Sequence, residues 1–201
     1  MAPRPVVLCT RNAHKLEEIG RLLAGTGIEP QPLPDRVQLP PEDGETFAEN
    51  ALGKARAAAA ATGLAAIADD SGIEAQAIDG APGVRSARYA GPRASDEQNL
   101  DKLIRDAPPG SDLRYVCALA YVDPVEAGGA ERVFLGECRG RLAAVRAGTR
   151  GFGYDPVFLV DDDGCERTMA ELTDAQKDAI SHRGHAVRAL ISWLAPELGD
   201  G

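Results

Sequence analysis

The sequence is short of lysine, of aromatic residues and of long apolar runs. Its 22 basic residues include only four lysines, and its aromatic residues are one Trp, four Tyr and four Phe among 201 residues. The apolar runs fall well below the roughly 20 residues that a membrane-spanning helix needs. Because 31 acidic residues give a net charge of −9, the surface should repel nucleic-acid phosphates. Neither a membrane nor a nucleic acid is therefore expected as a partner.

Paired cysteines are also lacking. The four cysteines are scattered without a C-x-x-C pair, at Cys9, Cys117, Cys138 and Cys165. This spacing argues against the usual zinc and thioredoxin-like motifs, and reduced thiols are typical of the cytoplasm. The N-terminal residues lead directly into Val6-Val7-Leu8 without a signal-peptide core. We therefore expect a soluble, unprocessed, cytoplasmic protein.

Strand and helix patterns alternate along the chain, which predicts a single α/β domain over residues 1–201, with room for two lobes. The predicted strands are 5–9, 64–68, 73–78, 113–122, 131–138 and 157–160, with 113–122 and 131–138 as an antiparallel pair. Helices are predicted to begin after the loop 10–15 and at Thr46, Ser95 and Thr173. Residues 28–44 contain five prolines, so an irregular connection is expected there.

The polar turn from Thr10 to Lys15 follows the first strand and begins the first helix. Free backbone N–H groups at a helix N-terminus attract anions. Thr10 and Asn12 add short hydrogen-bonding side chains, and Lys15 adds a positive charge. A phosphate site is one interpretation of this turn, and a helix cap alone is the other.

Two adjacent carboxylates, Asp69 and Asp70, stand with Ser71 and Gly72 at the end of a predicted buried strand. Open α/β sheets hold ligands at this place, and Mg²⁺ favours carboxylate oxygens. If the strand continued through them, the two side chains would point to opposite faces of the sheet. The alternative is an Asx-type turn that only ends the strand.

Two later segments carry groups suited to a nucleobase. The glycine-rich stretch 151–156 contains Phe152 and Tyr154, whose rings could stack on a base, and Asp155, which could accept hydrogen bonds. The other segment groups Lys177, Ser181, His182 and Arg183. The alternatives are a loop anchored to the core by its rings and a helix C-terminus compensated by basic side chains.

Six motifs, in order, resemble those of the inosine/xanthosine triphosphate pyrophosphatases. They span about residues 6–190, and several are long enough to be specific. They are TRNAHK at 10–15, TFAENA at 46–51, ADDSG at 68–72, APGVRSARY at 81–89, GFGYDP at 151–156 and SHRG at 181–184.

The resemblance implies an α/β fold with a long central mixed sheet flanked by helices, two lobes with a cleft between them, and a homodimer. It implies Mg²⁺-dependent hydrolysis of dITP, ITP and XTP to the monophosphate and pyrophosphate. Such an enzyme cleanses the nucleotide pool and keeps these bases out of DNA and RNA.

The resemblance also implies roles for single residues. Asp70 would bind Mg²⁺ and act as general base, Glu42 would be a further metal ligand, and Ser71 would contact the substrate. The triphosphate would be held, with reinforcement by Lys54, by Thr10, Arg11, Asn12, Ala13, His14 and Lys15. The nucleoside pocket would consist of Phe152, Gly153, Tyr154, Asp155, Lys177, His182 and Arg183.

Two other functions stay open on the sequence: a non-catalytic nucleotide-binding regulatory module, and a pyrophosphatase for other modified nucleotides. The presence of both Asp70 and Glu42 argues against the first, because binding alone requires no candidate base. Lys15, Lys54 and Lys177 all fall at predicted phosphate or substrate positions, although arginine is far commoner than lysine here. The sequence thus predicts a basic cleft within an acidic protein.

Overall fold

The computed structural model describes residues 4–124, 130–164 and 166–199. Within them lie six strands: Arg4–Leu8 (β1), Ile28–Pro32 (β2), Ala65–Ala75 (β3), Asp112–Asp123 (β4), Ala130–Leu142 (β5) and Phe158–Val160 (β6). The same residues form five α-helices: Ala13–Leu23 (α1), Phe47–Thr62 (α2), Asp96–Asp106 (α3), Asp174–Ile180 (α4) and His182–Gly199 (α5).

The strands form one mixed sheet in the order β2-β1-β3-β4-β5-β6. β1 pairs in parallel with both β2 and β3, and β5 pairs antiparallel with β6. The predicted pair 113–122 and 131–138 corresponds to β4 and β5, which are neighbours in this order. The mixed sheet that the motif resemblance implies is therefore confirmed.

Three of the four predicted helix starts, those at Thr46, Ser95 and Thr173, are confirmed by capping boxes. The Thr46 hydroxyl accepts a hydrogen bond from the Glu49 backbone N–H at 3.2 Å, while the Glu49 carboxylate accepts from the Thr46 N–H. Ser95 and Thr173 cap α3 and α4 in the same way. Because each cap satisfies backbone N–H groups that the helix leaves unpaired, each adds about 1 kcal/mol.

Two sequence predictions about strands were wrong. Of the two interpretations of residues 69–72, the continuing strand is confirmed and the turn between separate strands at 64–68 and 73–78 is wrong, because β3 runs without interruption from Ala65 to Ala75. Residues 28–32, predicted as irregular, form β2. Pro30 and Pro32 are tolerated there because β2 is an edge strand, which need not donate hydrogen bonds on its outer side.

The chain divides into two compact units, which agrees with the two expected lobes. Unit 1 comprises Met1–Asp70, Cys117–Gly136 and Arg183–Gly201, and unit 2 comprises Ser71–Val116 and Glu137–His182. Each unit has its own apolar core. The core of unit 1 includes Val6, Leu8, Ile19, Leu23, Ile67, Leu119 and Leu190. The core of unit 2 includes Ile73, Leu100, Leu103, Leu113, Leu142, Phe158 and Met169. The expected cleft stays a prediction.

Three of the cysteines, Cys9, Cys117 and Cys138, are buried free thiols. Burial raises the pKa of each to about 12, so they stay protonated and unreactive. Cys165 lies outside the described residues. In the described parts of the chain, no helix combines the length and the apolar character that crossing a membrane requires.

Replacement of Gly140 in β5 by alanine should destabilise the protein. A Cβ there would lie 2.1 Å from the Leu159 carbonyl oxygen and 2.6 Å from Cε1 of Phe158. Overpacking of this kind costs about 1–3 kcal/mol. Gly20→Ala in α1 is the matched control, since a Cβ there meets nothing within 4 Å and alanine is favoured in a helix by about 1 kcal/mol. Urea unfolding should show shifts of opposite sign, and a Gly140→Ala protein as stable as the wild type would contradict this packing.

Candidate active site

The side chains of Asp69 and Asp70 in β3 point in opposite directions, because successive side chains of a strand alternate between the two faces of the sheet. The Asp69 carboxylate accepts hydrogen bonds from Lys15 Nζ at 3.0 Å and from Arg183 Nη2 at 3.1 Å. The Asp70 carboxylate accepts from Asn50 Nδ2 at 2.8 Å. Both are buried, with 1% and 6% of their surface exposed. Neighbours in sequence thus occupy different environments within unit 1.

Asp69 is the centre of a buried ionic network. Burial alone would raise the pKa of its carboxyl group, but the charges of Lys15 and Arg183 outweigh it and hold that pKa far below its usual range. The carbonyl oxygen of Asp69 accepts from Lys54 Nζ at 2.7 Å. Arg183 also donates to the Glu18 carboxylate. One strand residue thereby contacts side chains from α1, α2 and α5.

Asp70 shows the opposite shift. Its pKa is raised from the ordinary value, first by burial and also by the negative charge of Glu42, against the opposing effects of Lys54 and Asn50. Glu42 in turn accepts a hydrogen bond from Lys54 Nζ. A buried carboxylate with a raised pKa is a candidate general base.

The turn before α1 is organised as a helix cap. The backbone N–H of Lys15 donates to Asn12 Oδ1 at 3.2 Å, and the N–H of Asn12 donates to Thr10 Oγ1 at 3.1 Å. Arg11 donates to the Val37 carbonyl oxygen at 3.1 Å. Ala13 and His14 are exposed. The cap is therefore confirmed, while phosphate binding by this turn stays a prediction.

Asp155 organises a second cluster, which lies in unit 2. Its Oδ2 accepts from Lys177 Nζ at 2.7 Å and from the Phe152 backbone N–H at 3.0 Å. Its Oδ1 accepts from the Tyr115 hydroxyl at 3.0 Å. The loop fits closely around this carboxylate, since a Cβ on Gly151, whose φ is +72°, would lie 2.0 Å from Asp155 Oδ2. Only glycine suits that position.

The aromatic residues of this segment have two different environments. Tyr154 is buried and its hydroxyl donates to the Ser86 carbonyl oxygen at 2.7 Å, which makes it the core anchor that the sequence left open. The Phe152 ring is half-buried, and Lys177 Nζ lies 5.0 Å from its centroid. Gly153 donates its N–H to Asp96 at 3.2 Å.

The structure brings the predicted residues together as two groups, one in each unit. Lys15, Lys54, Glu42 and Asp70 surround β3 in unit 1, and Arg183 joins them through Asp69. Arg183 was predicted for the nucleoside pocket, and that role stays a prediction. The unit 2 group holds Phe152, Gly153, Tyr154, Asp155, Lys177 and His182. Ser71 is half-buried in β3.

Each lysine of the predicted site forms an ion pair with a carboxylate. Lys15 pairs with Asp69, Lys54 with Glu42, and Lys177 with Asp155. A buried ammonium group needs such partners, because desolvation of an unpaired charge costs several kcal/mol. The basic character expected from the sequence is therefore balanced by carboxylates at each lysine.

Sequence reasoning missed two residues that complete these groups. Glu18, the second partner of Arg183, lies three residues after Lys15 on α1, so helical spacing could have indicated it. Tyr115 lies inside an apolar strand and carries no local signal. Its ring stacks on His182 with centroids 4.6 Å apart and on Phe158 at 4.4 Å.

Comparison with known proteins places these residues in a family. The Ham1 family matches residues 6–193. A dITP/XTP pyrophosphatase of Frankia alni is 51% identical, covering 94% of this chain and 96% of the relative. A protein of the same name from Cutibacterium acnes is 45% identical over 96% of this chain and 97% of its own.

Solved structures agree with this assignment. A HAM1 protein from Coxiella burnetii is 38% identical with a TM-score of 0.83, covering 96% of this chain and 99% of its own. A dITP/XTP pyrophosphatase from Mycobacterium abscessus is 41% identical with a TM-score of 0.69, covering 92% and 98%. The mixed sheet with flanking helices is thus shared with both.

Asp69→Asn should destabilise the protein by about 3–5 kcal/mol, because Lys15 and Arg183 would each lose a buried carboxylate partner. Asp106→Asn is the matched control, since exposed Asp106 pairs with Lys102 one helical turn away and such pairs contribute about 1 kcal/mol or less. Urea unfolding of both variants measures the difference. Equal, small losses would contradict the structural role assigned to Asp69.

Proposed function

Because the chain belongs to the Ham1 family, we propose that it hydrolyses dITP, ITP and XTP to the monophosphate and pyrophosphate. The relatives named dITP/XTP pyrophosphatases support this substrate class. The single observation that carries the proposal is Asp70, a buried carboxylate with a raised pKa, held beside Glu42 and Lys54. A protein that only bound nucleotides would have no use for such a base.

The triphosphate is assigned to the turn before α1. The first N–H groups of a helix attract phosphate oxygens, and this turn also presents Thr10 and Asn12. Lys15 and Lys54 bring two ammonium groups to β3, through the carboxylate and the carbonyl oxygen of Asp69 respectively. Since a nucleoside triphosphate carries about four negative charges, these cations would lower the cost of binding it.

Glu42 and Asp70 fit a magnesium ion. Their carboxylates lie close enough for the charge of Glu42 to raise the pKa of Asp70, and a cation would relieve that repulsion. The described residues contain no group of three or more His, Cys, Asp or Glu side chains suited to a metal, but Mg²⁺ in nucleotide enzymes usually takes only one or two carboxylates. Bound Mg²⁺ would neutralise phosphate charge during hydrolysis.

Asp70 would act on the attacking water. Asn50 fixes the carboxylate through its 2.8 Å hydrogen bond, so that it could accept the water proton as the bond between the α and β phosphates breaks. Hydrolysis of this kind needs charge stabilisation more than covalent help. The protein supplies no nucleophile in this mechanism.

The base is assigned to the Asp155 cluster. Hypoxanthine and xanthine carry an N1–H donor beside a 6-oxo acceptor. Asp155 can therefore accept a hydrogen bond from N1–H, and Lys177 can donate one to the 6-oxo oxygen. Adenine offers an N1 acceptor and a 6-amino donor, which reverses both contacts. A buried mismatch of this kind costs on the order of 1–3 kcal/mol for each group. The half-buried Phe152 ring is suited to stacking on the base.

The homodimer and the cytoplasmic location belong to the same proposal. The dimer is supported by the resemblance of the motif set to its family. The location is supported by the three buried free thiols, which suit a reducing compartment.

Pyrophosphate release from dITP, XTP and ATP, measured with Mg²⁺ and with excess chelator, tests the proposed function. We expect rapid release from dITP and XTP, at least about 30-fold slower release from ATP because two base contacts are reversed, and loss of all activity with chelator.

Equal rates on dITP, XTP and ATP would contradict the proposed specificity. Tight binding of dITP without pyrophosphate release would favour the regulatory module, and release from methylated or pyrimidine nucleotides alone would favour the other enzyme class.

A further inference from the structure

Tyr115 lies on β4 and contacts both segments of the predicted nucleoside pocket, Asp155 in the loop 151–156 and His182 at the start of α5. Its hydroxyl donates to Asp155 Oδ1 at 3.0 Å, and its ring lies nearly parallel to that of His182, at an interplanar angle of 9°. The second stacked neighbour, Phe158, begins β6. Tyr115 is 6% exposed, so these contacts are made inside the core of unit 2.

The hydrogen bonds of Asp155 show why this hydroxyl matters. An ionised carboxylate has about four acceptor sites, two on each oxygen. Lys177 and the Phe152 N–H use the two sites on Oδ2, and Tyr115 uses one on Oδ1. The acceptor site that is left for a substrate N–H therefore lies on Oδ1, the oxygen that Tyr115 holds.

We propose that Tyr115 is a positioning residue that sets the selectivity for 6-oxopurines by fixing Asp155 Oδ1 and the His182 ring. The proposal rests on the proposed function, because it assigns N1–H of the base to Asp155. Without the hydroxyl, the carboxylate would keep its two bonds to Oδ2 but could turn about its terminal torsion, which is broad for aspartate. The acceptor would then no longer be aligned with the base.

The chemistry of the pair makes Tyr115 a permanent donor. Burial, followed by the charge of Asp155, raises the pKa of Tyr115 well above its ordinary value, so the hydroxyl keeps its proton. Asp155, when ionised, can only accept. The bond therefore has one direction, and it reserves Oδ1 for a second donor such as N1–H rather than for the lone pair of adenine N1.

Tyr115→Phe tests the proposal, because phenylalanine keeps the stacked ring and removes only the hydroxyl. We expect kcat/KM for dITP to fall about tenfold, mainly through KM, since a hydrogen bond to a charged group is lost. Pyrophosphate release from dATP should stay unchanged, so the preference for dITP over dATP also falls about tenfold. A loss of fold alone would lower both activities together.

Tyr121→Phe is the matched control. Tyr121 lies on the same strand, is fully buried, and its hydroxyl donates to Asp123 at 3.1 Å. Its removal deletes a tyrosine–aspartate bond of the same kind in unit 1, without touching the Asp155 cluster. Thermal unfolding should place both variants at similar stability, while only Tyr115→Phe changes the preference for dITP. An unchanged preference in Tyr115→Phe, or an unfolded Tyr115→Phe beside a folded Tyr121→Phe, would overturn the proposal.

A double mutant tests whether Tyr115 acts through Asp155. Asp155→Asn alone should remove the preference for dITP, and Tyr115→Phe added to it should cause no further loss; additive losses would overturn the proposal.

Calorimetric titration with dIMP and dAMP gives a readout that is independent of hydrolysis. If the wild type releases no pyrophosphate, the proposed function fails. The role of Tyr115 would still be supported if the wild type binds dIMP more tightly than dAMP and Tyr115→Phe abolishes that difference. Equal binding of dIMP and dAMP by the wild type would overturn it.

Discussion

The buried carboxylate of Asp69 is the interaction on which the site in unit 1 depends. It balances Lys15 from α1 and Arg183 from α5, and its carbonyl oxygen holds Lys54 from α2. These cations stabilise the ionised form of the buried carboxyl group, and they therefore hold its pKa far below the usual range. Three helices are thereby fixed to β3 at the residue before the proposed base.

Asp70 differs from Asp69 because strand geometry turns it to the other face. It has an amide partner, Asn50, and a like charge nearby, Glu42, so its pKa rises where that of Asp69 falls. Two adjacent carboxylates whose environments separate their pKa values are a frequent sign of divided roles. In this account, Asp69 serves the fold and Asp70 serves the chemistry.

The sequence predicted the parts of this structure that depend on local patterns. Capping pairs located the starts of α2, α3 and α4, and the ordered motifs indicated the mixed sheet. The continuity of β3 was left open because Asp-Asp-Ser-Gly is also typical of a turn, and the side chains that contact Asp69 and Asp70 come from distant helices. Tyr115 was missed for a similar reason, since its partners Asp155 and His182 lie 40 and 67 positions along the sequence. Long-range contacts of this kind leave no periodicity to detect.

Asp70→Asn tests the separation of roles between Asp69 and Asp70 most directly. Turnover of dITP and the free energy of unfolding in the absence of metal are measured on the same preparation. A raised pKa means that folding disfavours the ionised carboxylate, so near neutral pH the charge of Asp70 costs stability, and neutral asparagine removes that cost. We predict that turnover falls at least about 100-fold while stability equals or exceeds that of the wild type. Retained turnover, or a loss of stability as large as that of Asp69→Asn, would contradict the account.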